Sequence, residues 1–172
     1  LLELVHIAGR STANLNNRIN DLLDLARAEV NSLSLNLSQV QPLSILREVT
    51  KDMKNLAEKN RQTFSIDLPP ELPVISTDAE RFRRILVNII GNALKYTPAG
   101  GTITVRAREE NKRLIVEVQD TGIGIKQEDI EGLFEPYHRH PGDRERMSGL
   151  GVGLALARKF MEMQGGAIQV TS

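Results

Sequence analysis

Cysteine is absent from this 172-residue sequence, which excludes disulfides and thiolate metal sites and fits a reducing compartment. Tryptophan is absent as well, and four Phe and two Tyr are the whole aromatic content, so the core must be aliphatic. Net charge is missing too: 22 acidic side chains balance 22 basic ones, and nothing in the bulk charge calls for nucleic acid or an anionic membrane as a partner. No apolar run approaches the roughly 20 residues of a membrane span, and no signal peptide is visible. Internal repeats and low-complexity tracts are also lacking. What remains is 40% hydrophobic, enough to build a core, in a length that fits one medium domain or a small domain with an appendage.

The strongest periodicity lies at the start. Leu1, Val5, Ala8, Thr12, Leu15, Ile19, Leu22 and Ala26 alternate spacings of four and three, a heptad seam that must be buried against another helix. No other segment offers a matching long heptad helix, so the expected partner is a second subunit or sequence N-terminal to Leu1. Because the helical pattern is already running at Leu1, the chain is expected to be a piece of a longer protein. Asn31 and Ser32 read as a helix stop. "SLSLNLSQV" alternates like a short strand or connector, and Pro42 opens a helix at about 42–60 with Leu43, Leu46, Val49, Met53, Leu56 and Ala57 on one face. "QTFSIDLP" and "VIST" are expected strands, the first stopped by Pro69 and Pro70. Thr77 and Glu80 have capping-box spacing before the next helix. "GTITVRAREENKRLIVEVQDTG" reads as a hairpin turning at Glu110, Asn111 and Lys112. A short helix at about 126–134 follows, then a polar, basic loop over 135–149. A helix with Val152, Leu156, Phe160 and Met163 on its core side ends at Gly165-Gly166, and "AIQVTS" starts a last strand.

Four stretches carry more chemistry than a purely structural domain needs. In the helix at Arg84–Pro98, the apolar stripe Phe82, Ile85, Leu86, Ile89 and Ala93 is flanked by a second stripe of Asn88, Asn92 and Lys95, within about 60° of one another. Asn is a mediocre helix former. Two Asn one turn apart and a Lys one turn on suit a metal–phosphate group, with amide oxygens for the cation and an ammonium for the anion. The plainer reading is an amphipathic helix with a polar edge. In "DTGIGI", Asp120 ends a buried-looking strand before two glycines that let backbone approach a flat ligand. A buried Asp there would accept from an exocyclic amine and prefer adenine to guanine, although most strand-end Asp residues only cap a turn. Gly149, Gly151 and Gly153 lead into a helix and present free N–H groups where a polyphosphate can sit. Spacing and context exclude a Walker loop and a Rossmann fingerprint. Between these lies "FEPYHRHPGDRERMSG", whose Arg139, Arg144 and Arg146 suit phosphate neutralisation by a closing lid, or simply a solvated basic loop.

Taken in order, these stretches resemble the catalytic ATP-binding region of sensor histidine kinases of two-component systems. "NIIGNALKYTP" is similar to the family's Asn box, "DTGIGI" to its first glycine box, "LFEPYHR" to its Phe box and "GLGVGLALARKF" to its second glycine box. "INDLLDLARAE" resembles the second helix of the dimerisation and phosphotransfer hairpin. The resemblance implies an α+β fold: a two-layer α/β sandwich of the Bergerat type, a mixed sheet with helices on one face, preceded by a long coiled-coil-like helix. It divides the chain into a partial dimerisation helix and connector, 1–36, and a catalytic domain, 37–172. It implies ATP and Mg²⁺ as ligands, with Asn92 holding the metal, Asn88 assisting, Lys95 on phosphate and Tyr96 lining the pocket. Asp120 would accept from adenine, with Gly122 and Gly124 shaping that end. Phe134 would pack the lid base and Arg139 would approach the γ-phosphate. Gly149, Leu150, Gly151, Val152, Gly153 and Leu154 would form the phosphate cradle. Asn88, Lys95 and Arg139 would carry the catalytic work. It further implies a homodimer through the N-terminal helix, a response-regulator receiver domain as partner, and a cytoplasmic location compatible with a membrane-anchored parent.

Two departures qualify the match. The family's acceptor His, followed by an acidic residue, is absent: His6 precedes Ile7, and His138 and His140 fall in the lid. The Gly-rich turn and strand that usually follow the last strand are also absent, which predicts an exposed sheet edge and reduced stability. Two other functions share the site type. Gyrase and mismatch-repair (MutL-like) ATP hydrolases carry a Glu general base where this chain has Asn88, and an amide cannot take that proton at neutral pH. A dimeric signalling scaffold that binds nucleotide weakly without catalysis is the third.

Overall fold

The fold was examined in a computed structural model that describes residues 9, 12, 15, 16, 19–27, 33–137 and 151–172. Strand β1 (Ser38–Val40) pairs antiparallel with β3 (Ile75–Thr77) in a small two-stranded sheet. Helix α1 (Pro42–Lys59) follows β1, with Pro42 at its first turn, where a missing N–H costs nothing. The main sheet has the order β2 (Thr63–Asp67), β4 (Thr102–Glu110), β5 (Arg113–Asp120), parallel between β2 and β4 and antiparallel between β4 and β5. Asn111 and Lys112 take positive φ at the β4–β5 turn, the conformation a tight hairpin demands. Helices α2 (Ala79–Tyr96) and α4 (Gly153–Met163) complete the fold, with α3 (Gln127–Ile130) and a 3₁₀ turn at Glu131–Phe134 leading toward α4. This is the mixed-sheet α/β sandwich expected from the resemblance.

One core lies between the sheet and the helices. Ile103, Val105 and Ala107 of β4 meet Leu46 and Val49 of α1 and Phe82, Leu86, Ile90, Ala93 and Leu94 of α2. Leu114, Val116 and Val118 pack against it from β5, on the face their alternation predicts. A second core joins α2 to α4 and the N-terminal segment: Ile85, Leu156, Ala157 and Phe160 enclose Leu25 and Leu33. Helix α2 is therefore buried on two sides.

Several details depart from the sequence reading. Asp78, not Thr77, caps α2, and its carboxylate accepts from the N–H of Arg81 at 3.0 Å. Leu56 is 45% exposed while Ala57 is fully buried, because the α1 stripe steps from Leu46 and Thr50 to Ala57. Residues 167–172 are not in a strand; Ile168 packs on the second core, and Ser172 Oγ accepts from the N–H of Ile125 at 2.8 Å. Residues 19–27 are helical, yet Leu15, Ile19 and Leu22 of the seam remain 59%, 45% and 38% exposed. A different face, bearing Asp21, Asp24 and Leu25, meets the domain. Leu1, Val5 and Ala8 of the seam lie outside the described residues.

Candidate functional site

Helix α4 runs antiparallel along the first half of α2. At one end Gln164 accepts from the Asp78 N–H at 2.9 Å and from the Thr77 hydroxyl, and donates to the Phe160 carbonyl at 2.9 Å. At the other end the Asn88 side-chain amide donates to the Gly153 carbonyl at 3.1 Å. Ile89 still packs on the core that α4 builds. Asn88, Asn92 and Lys95 are all half-buried, as a stripe beside the core should be. Lys95 Nζ lies 3.0 Å from the Tyr96 hydroxyl and 4.7 Å from the centre of its ring.

The far end of α2 is fixed by a residue with no local sequence signal. Buried Gln62 donates from its amide to the carbonyls of Leu94 and Thr97, and the Thr97 hydroxyl donates to the Ala93 carbonyl, so the last carbonyls of the helix are satisfied. The Gln62 contacts join residues 32 and 35 positions apart, out of reach of any periodicity argument. Just past this end sits the "DTGIGI" loop. The Ile123 N–H donates to the Tyr96 carbonyl at 3.3 Å. A β-carbon at Gly122 would stand 2.6 Å from both the Tyr96 carbonyl oxygen and Asp120 Oδ1, so glycine is required there by close approach. Asp120 Oδ1 accepts from the Gly122 N–H at 2.8 Å. Contrary to expectation, the Asp120 side chain is exposed, because β5 ends there at the edge of the sheet.

At the near end, Gly151 has φ +72° and its carbonyl accepts from the Tyr137 N–H at 3.0 Å, which brings the two flanks of 138–150 together. Val152 is buried, Leu154 is half-buried, and no side chain caps the N–H groups of α4's first turn. Phe134 is half-buried, with the Arg158 guanidinium 5.5 Å from its ring centre. Arg139, Gly149 and Leu150, together with His6, His138, His140, Arg144 and Arg146, lie outside the described residues. From Asn88 to Tyr96 is eight residues, or about 12 Å of helix. That length separates the start of α4, whose N-cap residue Val152 makes no side-chain cap bond, from a close-packed glycine loop and the exposed Asp120 carboxylate at the other end.

The donor set also fits a hydrated magnesium ion. No group of three His, Cys, Asp or Glu side chains able to hold a metal occurs among the described residues. A cation here would rest on amide oxygen, nucleotide phosphate and water, which suits Mg²⁺.

The first half of α2 is tied to the N-terminal helix. Asp24, 5% exposed, receives Arg81 at 2.7 Å and also Arg84, while Arg84 reaches Asp21 at 2.7 Å. Both guanidiniums lie over Phe160, 4.7 and 5.5 Å from its ring centre. Burial works to lower the Arg84 pKa, but the hydrogen bonds and charges of Asp21 and Asp24 outweigh it and hold it above its ordinary value.

The architecture is a mixed-sheet sandwich with a glycine loop packed against the end of α2 and a glycine turn packed against its middle. Residues 77–172 match the model of the histidine kinase-, DNA gyrase B- and HSP90-like ATPases, and the chain belongs to that family. It is 34% identical to the circadian input-output histidine kinase CikA of Synechococcus elongatus, with 99% of this chain aligned to 23% of that protein. It is 36% identical to the adaptive-response sensory kinase SasA of Thermosynechococcus vestitus, with 98% of this chain aligned to 44% of that protein. Among solved structures, full-length ShkA in complex with AMPPNP superposes with a TM-score of 0.80 at 30% identity, covering 96% of this chain and 34% of that one. The chain thus spans less than half the length of these relatives. No helix among the described residues is long and apolar enough to cross a membrane.

Proposed function

We propose that this chain is the ATP-binding catalytic part of a sensor histidine kinase, with residues 1–36 contributing to a dimerisation helix and 37–172 forming the catalytic domain. It binds Mg-ATP along α2, and the γ-phosphoryl group passes to a histidine on another helix. The observation that carries this reading is the half-buried run of Asn88, Asn92 and Lys95 along α2, between the start of α4 against Asn88 and the Gly122 loop against Tyr96. Asn92 holds the metal with Asn88 beside it, Lys95 and the first-turn N–H groups of α4 take the phosphates, and Tyr96, Gly122 and Gly124 line the base end. Asp120 accepts from the adenine amine through the carboxylate oxygen that Gly122 leaves open. Mg²⁺, when bound, neutralises phosphate charge; the chain's own residues orient the nucleotide and supply dipoles where charge develops. Arg139 adds positive charge at the γ-phosphate. The exposed seam Leu15, Ile19 and Leu22 supports pairing with a second copy, and a receiver domain is the partner of the phosphorylated parent.

Kinase is preferred to hydrolase because Asn88 stands where a water-activating Glu would be needed, and an amide cannot serve as base. Calorimetry with Mg-ADP tests the site, and a 1:1 binding heat is expected. Incubation with labelled ATP tests the chemistry: this chain should acquire almost no phosphohistidine and turn over ATP very slowly. Stoichiometric self-phosphorylation, or vigorous steady-state hydrolysis, would overturn the assignment.

A further inference from the structure

The third glycine of "GLGVG" has no backbone reason to be glycine. Gly151 takes positive φ, but Gly153 does not; it is the first residue of α4, where other residues serve as well. Space is what excludes a side chain. A β-carbon at Gly153 would stand 3.0 Å from Asn88 Oδ1 and 3.3 Å from its Cγ, and the three nearest side-chain atoms it would meet all belong to Asn88. The same amide donates through Nδ2 to the Gly153 carbonyl. The Asn88 carboxamide therefore lies against the start of α4, with one of its two N–H donors committed before any nucleotide arrives.

We infer that Asn88 is a positioning residue: its amide N–H latches the first residue of α4 to α2 and sets where the phosphate-facing turn stands relative to Asn92 and Lys95. This rests on the nucleotide reading of the site, and it assigns to Asn88 a donor role toward Gly153 in place of an acceptor role toward a metal. The two roles demand opposite chemistry. A latch needs an N–H, which Asn has and Asp lacks; a metal ligand needs only oxygen, which Asp supplies with added charge. Asp at this position would also set a carboxylate against the Gly153 carbonyl.

The test uses the whole chain, with Asn88→Ala, Asn88→Asp, Gly153→Ala and the double variant Asn88→Ala/Gly153→Ala. It measures Mg-ADP affinity by calorimetry and the thermal midpoint without nucleotide. A latch predicts that Asn88→Ala and Asn88→Asp each weaken Mg-ADP on the order of five- to tenfold and lower the nucleotide-free midpoint. Gly153→Ala weakens binding by a few fold, because the new methyl displaces the amide. In the double variant the obstacle and the bond are both gone, so binding is no weaker than in Asn88→Ala alone. Two results would overturn the latch: wild-type affinity in Asn88→Asp, or single-variant losses that multiply in the double variant. If the wild-type chain gave no Mg-ADP heat, the nucleotide reading itself would fail. The nucleotide-free midpoints would still decide the latch, which predicts that Gly153→Ala lowers the midpoint only while Asn88 is present. Equal shifts in both backgrounds would refute it.

Discussion

The two halves of α2 are one unbroken helix with opposite surroundings. Over 79–88 both flanks are covered: Phe82 and Leu86 face the sheet, Ile85 faces α4, and Arg81 and Arg84 are sandwiched between Asp24 and Phe160. Over 89–96, Ile90, Ala93 and Leu94 face the sheet and Ile89 still packs on the second core, while Asn92 and Lys95 are half-buried. The boundary falls where α4 begins, at the Asn88–Gly153 contact. One helix ends against the middle of another, and the charged residues Arg81 and Arg84 of the first half are held in ion pairs and ring contacts, whereas the second half carries the proposed ligand-binding residues Asn92 and Lys95.

If that division is right, substitutions in the first half should cost stability and those in the second half should cost affinity. The largest effect is expected for Phe160→Ala. Phe160 is fully buried beneath two guanidiniums, and its loss should destabilise the chain by about 3–5 kcal/mol in urea unfolding. Asp24→Ala comes next, at about 2–3 kcal/mol, since it strands two partly buried arginines whose remaining exposure softens the penalty. Its effect should persist at about 0.5 M salt to a degree no exposed pair would. Asn92→Ala inverts the pattern: Mg-ADP affinity falls about tenfold or more, while the unfolding free energy changes by about 0.5 kcal/mol or less. Equal losses of stability from Asn92→Ala and Asp24→Ala would erase the distinction between the halves.

A smaller effect comes from the cap. Asp78 accepts from the N–H groups of Arg81 and, at 2.9 Å, Asn36. Burial pushes its carboxyl up, but these hydrogen bonds and the Arg81 charge prevail and hold it below its ordinary value of 3.8. A lowered folded-state pKa means that the unfolded chain binds the proton more readily. This stabilisation is therefore full above pH 3.8 and is lost as pH falls through the lower folded value. Asp78→Ala should cost about 1 kcal/mol at pH 7 and flatten the acid limb of the stability profile. The smallest effect is expected at Arg108, whose pairs with Glu110 and Glu117 are on the exposed face of the hairpin. Arg108→Ala should leave the thermal midpoint unchanged, and a clear drop there would show that the outer sheet face matters more than the comparison allows.

The candidate site's residues could be singled out in the sequence because local chemistry marks them. Asn88, Asn92 and Lys95 stand out against helix propensity, and glycine clusters mark close approach at Gly122 and positive φ at Gly151. Asp120 was placed at the right end of the right strand but expected to be buried; alternation along β5 cannot tell that the strand ends at an exposed edge. The heptad seam was read from Leu15, Ile19 and Leu22, yet the face that meets the domain carries Asp21, Asp24 and Leu25. Periodicity reports which residues are apolar, not which surface will be nearby.

The sequence by itself determined most of the helices and strands and the aliphatic core, because those depend on spacings of two to four residues. Tertiary structure alone decided that Gln62 caps α2 from 32 residues away, that Gln164 ties the end of α4 to Asp78, and that Asn88 rests on Gly153. Each is a hydrogen bond between side chain and backbone across a long loop. Its partner is set by how two layers pack, and no local pattern encodes it.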